Sequence, residues 1–274
     1  MTSPRSLLPV LLAAVPLLLP STAVAAPPTA NAVLDRLLAA AGGQKALGDI
    51  GMLELRFTDE ETKPDGTTTT SSDRAVVSGA KVDHARYEMG NDVVLARNPD
   101  TSWATISGQL DTRPQTPMMS TGSINRRLFS ALLPFSLGQP GVTLSPPRET
   151  RFEGTPAWTL DVTLPRGFFA NPIMDTTWQL VVAQSDLSFL CLELRPAMEY
   201  VNAGAQGLRY RLLKTQRAGA AKVPAEILTE AVDTEGVPSS GHRVTRIAAT
   251  VHERWDPALF IDPQRLALIE GDDE

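Results

Sequence analysis

Segment after segment between Met52 and Trp255 places apolar side chains at every second position, and most of the joints are turns too short to hold a crossover helix. That combination specifies an antiparallel sheet. Leu53, Leu55 and Phe57 alternate with Glu54, Arg56 and Thr58, and Pro64-Asp65-Gly66 then turns the chain into a Thr- and Ser-rich return strand. The alternation continues through Lys81 to Met89, Asp92 to Arg97 and Ser102 to Gly108, with Gly90-Asn91 and Asn98-Pro99-Asp100 as turn chemistry between them. It returns in Trp158, Leu160, Val162 and Leu164, in Trp178, Leu180 and Val182, in Leu208, Tyr210 and Leu212, near Ile227, and from Val244 to Trp255. About ten or eleven strands are expected, each with one wet and one apolar face.

Two segments follow a helical period instead. Val33, Leu34, Leu37, Leu38 and Ala41 share a helix face, and Gly42-Gly43 supplies the stop. Around Ser123 to Phe135, Ile124, Leu128, Leu132 and Phe135 recur at helical spacing with Phe129 and Leu133 beside them, and Pro134 marks the end; the helical insert spans about 121–137. The fold class expected is α+β and mainly antiparallel β: a single curled sheet, or incomplete β-barrel, wrapped around or covered by an N-terminal and a mid-chain helix. No repeat and no long linker divides residues 26–274, so they are read as a single domain.

The amino terminus has a different character. Arg5 precedes an apolar run of 13 residues, Leu7 to Leu19, broken by Pro9 and Pro16, and Ala23-Val24-Ala25 follows as a small-x-small cleavage pattern. A membrane span needs roughly 20 apolar residues, so residues 1–25 read as a signal peptide cleaved near Ala25. No later stretch is long and apolar enough to span. The mature chain is expected to be a soluble, exported monomer, periplasmic or extracellular. Without Arg5 it holds 24 basic groups against 31 acidic ones, which leaves no basic field for nucleic acid. Cys191 is the one cysteine, so no intramolecular disulfide can form; it sits within Phe189-Leu190-Cys191-Leu192 and reads as a buried, inert thiol.

Catalytic signatures are missing. There is no Gly-x-Ser-x-Gly, no phosphate-cradling Gly-x-x-x-x-Gly-Lys and no Cys-x-x-Cys. His252-Glu253-Arg254-Trp255-Asp256 begins like a zinc-protease motif but carries Asp where the second His is required. His242 and His252 are ten residues apart, about 33 Å along a strand, too far to share a metal. Asp59-Glu60-Glu61 and Asp272-Asp273-Glu274 read as a solvated turn and a solvated tail. The chain is therefore expected to be no enzyme and to hold no metal or cofactor. What remains is an excess of apolar faces. Trp103, Phe129, Leu132, Leu133, Phe135, Leu137, Trp158 and Trp178 either line a hydrophobic cavity or fill an ordinary core.

The order of these parts resembles the periplasmic lipoprotein-carrier superfamily with the LolA/LolB-like fold, in particular its larger secreted members. The resemblance is carried by the opening helix and its tail, Val33-Leu34-Asp35-Arg36-Leu37-Leu38-Ala39-Ala40-Ala41-Gly42-Gly43-Gln44-Lys45-Ala46-Leu47, and by Pro134-Phe135-Ser136-Leu137 followed by Pro140-Gly141-Val142. It covers most of the chain after residue 25. It implies an incomplete antiparallel barrel whose apolar mouth is covered by helices, and a soluble carrier that binds an acyl chain or lipoprotein under a helical lid. It assigns no functional residue to any position here. Shielding an acyl chain from water is worth about 0.8 kcal/mol per CH₂. The alternative is a non-catalytic binding or scaffold module with a filled core and protein partners.

Overall fold

A computed structural model of the chain describes residues 26–79, 83–169, 177–195, 207–254 and 256–263. Residues 1–25, read from the sequence as a signal peptide, and the acidic tail, Lys81 and Trp255 lie outside the described residues. A first helix, α1 (Ala30–Ala40), starts at Thr29, whose hydroxyl accepts the Ala32 amide at 3.1 Å. It ends at Gly42, where φ is +100° and a Cβ would stand 2.5 Å from the Ala220 carbonyl oxygen. Only glycine meets both conditions. A short α2 (Gln44–Gly48) then delivers the chain to the sheet.

The first half of the sheet is a meander of β1 (Met52–Thr62), β2 (Thr68–Ser78), β3 (Ala85–Met89), β4 (Val93–Arg97), β5 (Ser102–Ile106) and β6 (Gln109–Leu110). The helical insert follows as α3 (Thr116–Ala131), and a 3₁₀ turn occupies Phe135–Gly138. The second half consists of β7 (Thr143–Leu144), β8 (Arg148–Phe152), β9 (Thr155–Thr163), β10 (Trp178–Ala183), β11 (Phe189–Leu194), β12 (Gly207–Ala218), β13 (Ala221–Val232) and β14 (Pro238–His252). Among the described residues these 14 strands form one antiparallel sheet in the order β6-β5-β4-β3-β2-β1-β14-β13-β12-β11-β10-β9-β7, with β8 paired to β9. β1 pairs with both β2 and β14 and so joins the two meanders. β6 and β7 end the order without meeting each other, which leaves the barrel incomplete, as expected.

The strands beyond the expected ten or eleven are ones with little period to read. β6 and β7 are two residues long, β8 carries polar residues at Arg148, Glu149, Thr150 and Arg151, and β11 is apolar on both faces at Phe189-Leu190-Cys191-Leu192. The helical insert differs from expectation at both ends. α3 begins at Thr116 with Pro117 in its first turn and stops at Ala131, before the proline that cannot continue it.

One face of the sheet carries the helices. Leu53, Leu55 and Phe57 of β1, Ala75 and Val77 of β2, Leu160 and Val162 of β9 and Ile227 of β13 join Val33, Leu37, Ile124 and Leu128 of the helices in a single buried core. The exit from α2 is tight. A Cβ on Gly79 would stand 2.3 Å from the Leu47 carbonyl oxygen and 2.5 Å from that of Ile50, whereas one on Gly48 would meet nothing within 4 Å. Gly79→Ala is therefore expected to lower stability by about 1–3 kcal/mol through forced backbone movement, while Gly48→Ala stays neutral or gains slightly from reduced unfolded-state entropy. Urea unfolding midpoints of the two variants check this; equal midpoints would contradict the packing at Gly79.

Candidate ligand-binding cleft

The inner face of β1 changes chemistry part-way along. The two-residue step that buries Leu53, Leu55 and Phe57 continues to Asp59 and Glu61. Across the ladders Phe57 faces Asp73, Asp59 faces Thr245, Glu61 faces Arg243, and Thr229 stands between Arg243 and Tyr210. Tyr87 lies opposite Ala75 on the same face. A polar patch thus begins where the apolar interior ends, and α3 crosses over it.

Arg127 of α3 fits into this patch. Its guanidinium carbon lies 3.9 Å from the centroid of the Phe57 ring. Nη2 donates to Asp73 Oδ1 at 2.8 Å and lies 3.0 Å from Asp59 Oδ2. Tyr87 donates its hydroxyl to Asp73 Oδ2 at 2.8 Å, and the Thr245 hydroxyl donates to Asp59. Burial raises the Asp73 carboxyl above its ordinary range against the pull of Arg127, and the Tyr87 phenol is raised mainly by burial as well. Desolvation works to lower the Arg127 pKa, but the charges of Asp73 and Asp59 outweigh it and the net shift is upward. Two further side chains of α3 hold it through polar contacts. Thr121 pairs with Ser102 at 2.7 Å, and Asn125 accepts from Arg97 while donating to the Phe168 carbonyl oxygen at 2.6 Å. Burial pulls Arg97 down to about 10.

Beside Arg127 the seam between α3 and the sheet opens into a cleft of about 520 Å³. Leu208, Tyr210 and Ala231 supply apolar wall, Arg126, Arg127 and Ser130 come from α3, Lys63 reaches it from just past the end of β1, and Arg243 comes from within β14. A second cavity of about 300 Å³ lies toward the start of α3, against Val93, Leu95, Ala104 and Ile106. Met89 and Ser123 line both. A third, about 230 Å³, sits between α1, β11 and β12 and is lined by Leu37, Leu133, Phe189 and Leu212.

No protein-family model and no curated protein matches the sequence. Among solved structures, a LolA superfamily protein from Nitrosomonas europaea matches over 86% of this chain and 99% of its own, with a TM-score of 0.56 at 11% identity. A DUF1329 family protein from Desulfovibrio piger matches over 86% of this chain and 98% of its own, with a TM-score of 0.50 at 9% identity. The fold is LolA-like.

On this LolA-like frame the eight residues read from the sequence occupy different places. Phe129, Leu132, Leu133, Phe135, Leu137, Trp158 and Trp178 all belong to the continuous core. Trp178 stacks on Tyr210 with ring centroids 5.4 Å apart and a 13° interplanar angle, and Phe129 lies 5.6 Å from Trp178 and 5.5 Å from Phe169. Leu133 lines the third cavity. Trp103 is elsewhere: its cross-strand row runs through Ala96, Arg86, Val76 and Glu54, on the face opposite the helices. Asp59-Glu60-Glu61 is a correction, since these residues lie within β1 rather than in a solvated turn, and Asp59 is buried because its partners Arg127 and Thr245 cover it. His252 faces Glu54 at 3.1 Å on the outer side. Arg126, Arg127, Asp73, Tyr87, Tyr210 and Met119 are not among the candidate site residues that the sequence offers, and Tyr210 enters there only as part of a strand alternation. Extending the β1 alternation by one step, and following α3 at helical spacing past Ser123, would have put Asp59 and Arg127 on facing surfaces.

Proposed function

We propose that the protein is a non-catalytic carrier, exported after loss of residues 1–25, that holds an acyl-chain ligand in the seam between α3 and the inner face of the sheet. The observation that carries this reading is the pair of adjoining cavities along α3, about 520 and 300 Å³, in the size range of small-molecule sites. The LolA superfamily neighbour supports it at the level of fold, which by itself assigns no ligand. The interior around Phe129 and Trp178 is occupied by side chains, so the ligand is confined to the seam. Burying each methylene contributes about 0.8 kcal/mol, and the polar contacts at Thr121, Asn125 and Arg127 hold the covering helix in place. Release requires α3 to lift from them.

The test uses the mature chain beginning at Ala26. Mass spectrometry of organic extracts is expected to find co-purified lipid, and fatty acids or diacyl lipids are expected to raise the melting temperature, a ligand at 100 times its Kd adding about 2.7 kcal/mol. Clean extracts together with unshifted melts for both ligand classes would overturn the proposal.

A further inference from the structure

The charges and apolar groups of the two adjoining cavities are segregated along α3. Met119, Ser123, Arg126 and Ser130 fall at helical spacings of four, three and four, which puts them on one stripe, and each lines one or both of the cavities. At the Arg126 end, Lys63, Arg126, Arg127 and Arg243 face Asp59 and Glu61. Those two carboxylates are already engaged, Asp59 by Arg127 and Glu61 by Arg243 at 3.1 Å. Arg126 and Lys63 have no carboxylate partner among the described residues, in a chain whose net charge is −6. Burial raises the Tyr210 phenol, and the Arg126 charge works against that rise across the cleft.

The Met119 end is neutral. Its charged pair, Asp111 and Arg113, is self-compensating at 2.7 Å, and its walls are Val93, Leu95, Ala104 and Ile106. Met119, Ile106 and Met89 are exposed here, with 51%, 44% and 41% of their surface open to solvent. Three large apolar side chains gathered at one cavity rim mark a surface that an apolar ligand would cover. Seven residues of helix, about 10 Å, separate Met119 from Arg126.

We propose that the ligand is an anionic amphiphile, bound with its acidic head at Arg126 and its chain running along α3 toward Met119. This rests on the carrier reading and adds to it the charge and direction of the cargo. Arg126 is exposed, so replacing it removes a charge without opening the core.

The experiment measures binding of dodecanoate, dodecanol and dodecyltrimethylammonium to the mature protein by titration calorimetry, below their micelle concentrations, with acetate as the chainless acid. Dodecanoate is expected to bind about tenfold more tightly than dodecanol, as a charge-assisted hydrogen bond allows. Dodecyltrimethylammonium is expected to bind most weakly, and acetate not at all at the same concentration. Arg126→Gln should weaken dodecanoate about tenfold and leave dodecanol unchanged. Met119→Ser should weaken both alike. In the unmodified protein, raising the salt concentration should weaken dodecanoate and spare dodecanol. Equal affinities for dodecanoate and dodecanol, or an Arg126→Gln loss shared by both, would overturn the head-group assignment and leave the carrier in place. Absence of binding by any chain-bearing probe, with diacyl lipids also inert, would overturn the carrier and this inference together.

Discussion

Arg127→Met is expected to destabilise the protein by about 3–5 kcal/mol at pH 8, the range for stranding buried charges. The arginine holds Asp59 and Asp73 together, with side chains only 11% and 13% exposed, and without it two carboxylates face each other with no cation between. Methionine preserves most of the stem that packs over Phe57, so the loss isolates charge from volume. The pH dependence has a definite sign. Losing the cation raises the folded-state pKa of Asp73 further, on top of the rise that burial already gives it. A carboxyl whose folded pKa lies above its unfolded value of about 4 binds its proton more tightly when folded, so stability is retained at low pH and lost as pH rises through the folded value. The deficit should therefore be widest at pH 8 and narrow toward pH 5. Asp59→Asn and Asp73→Asn combined with Arg127→Met should recover most of the loss, because no buried charge is then left uncompensated. Urea unfolding at the two pH values checks all of this. A variant as stable as the parent, or a deficit that ignores pH, would contradict the clamp.

That clamp shows where reading the sequence stopped. The strands were legible because most of them bury one face, and Leu53, Leu55 and Phe57 repeat at the period that burial imposes. A carboxylate following three apolar residues looks like the end of a strand. Here it marks a change of partner instead, since Asp59 is covered by an arginine 68 positions away that only the fold brings near. α3 was legible from Ile124 onward, where a stripe of apolar residues meets the core. Its first turns were not, because Met118 and Met119 face solvent and the cavity rim rather than the core. Trp103 illustrates a third limit. Trp103, Ala104 and Thr105 are all buried, so alternation cannot tell which face of the sheet is the inner one. The outer face is covered in part by the turn Pro257–Phe260, whose Phe260 carbonyl accepts the Asn98 amide at 2.9 Å. That cover comes from about 160 residues further along the chain. Cavity volume is set by the same long-range geometry.

Trp178→Ala is expected to lower stability by about 3–5 kcal/mol, the range for truncating a large buried aromatic. Trp178 is fully buried, stacked on Tyr210 and tilted against Phe129 and Phe169. Tyr210 also lines the cleft. The indole thus fills the space behind the cleft wall, and its ring is the partition between a packed interior and the proposed ligand seam. Removing it leaves apolar volume next to the cleft, and an apolar void of that kind stays dry and accepts apolar guests. A longer acyl chain such as hexadecanoate should accordingly restore more stability to Trp178→Ala, relative to dodecanoate, than it adds to the unmodified protein. Trp103→Phe is the control on the opposite face. The Trp103 Nε1 is buried without a hydrogen-bond partner among the described residues, so deleting that donor should leave both stability and ligand response near their original values. Unfolding midpoints with and without each fatty acid provide the readout. If Trp178→Ala loses less than about 1 kcal/mol, the site has collapsed or was never tightly packed, and the filled interior that confines the ligand to the seam would have to be abandoned.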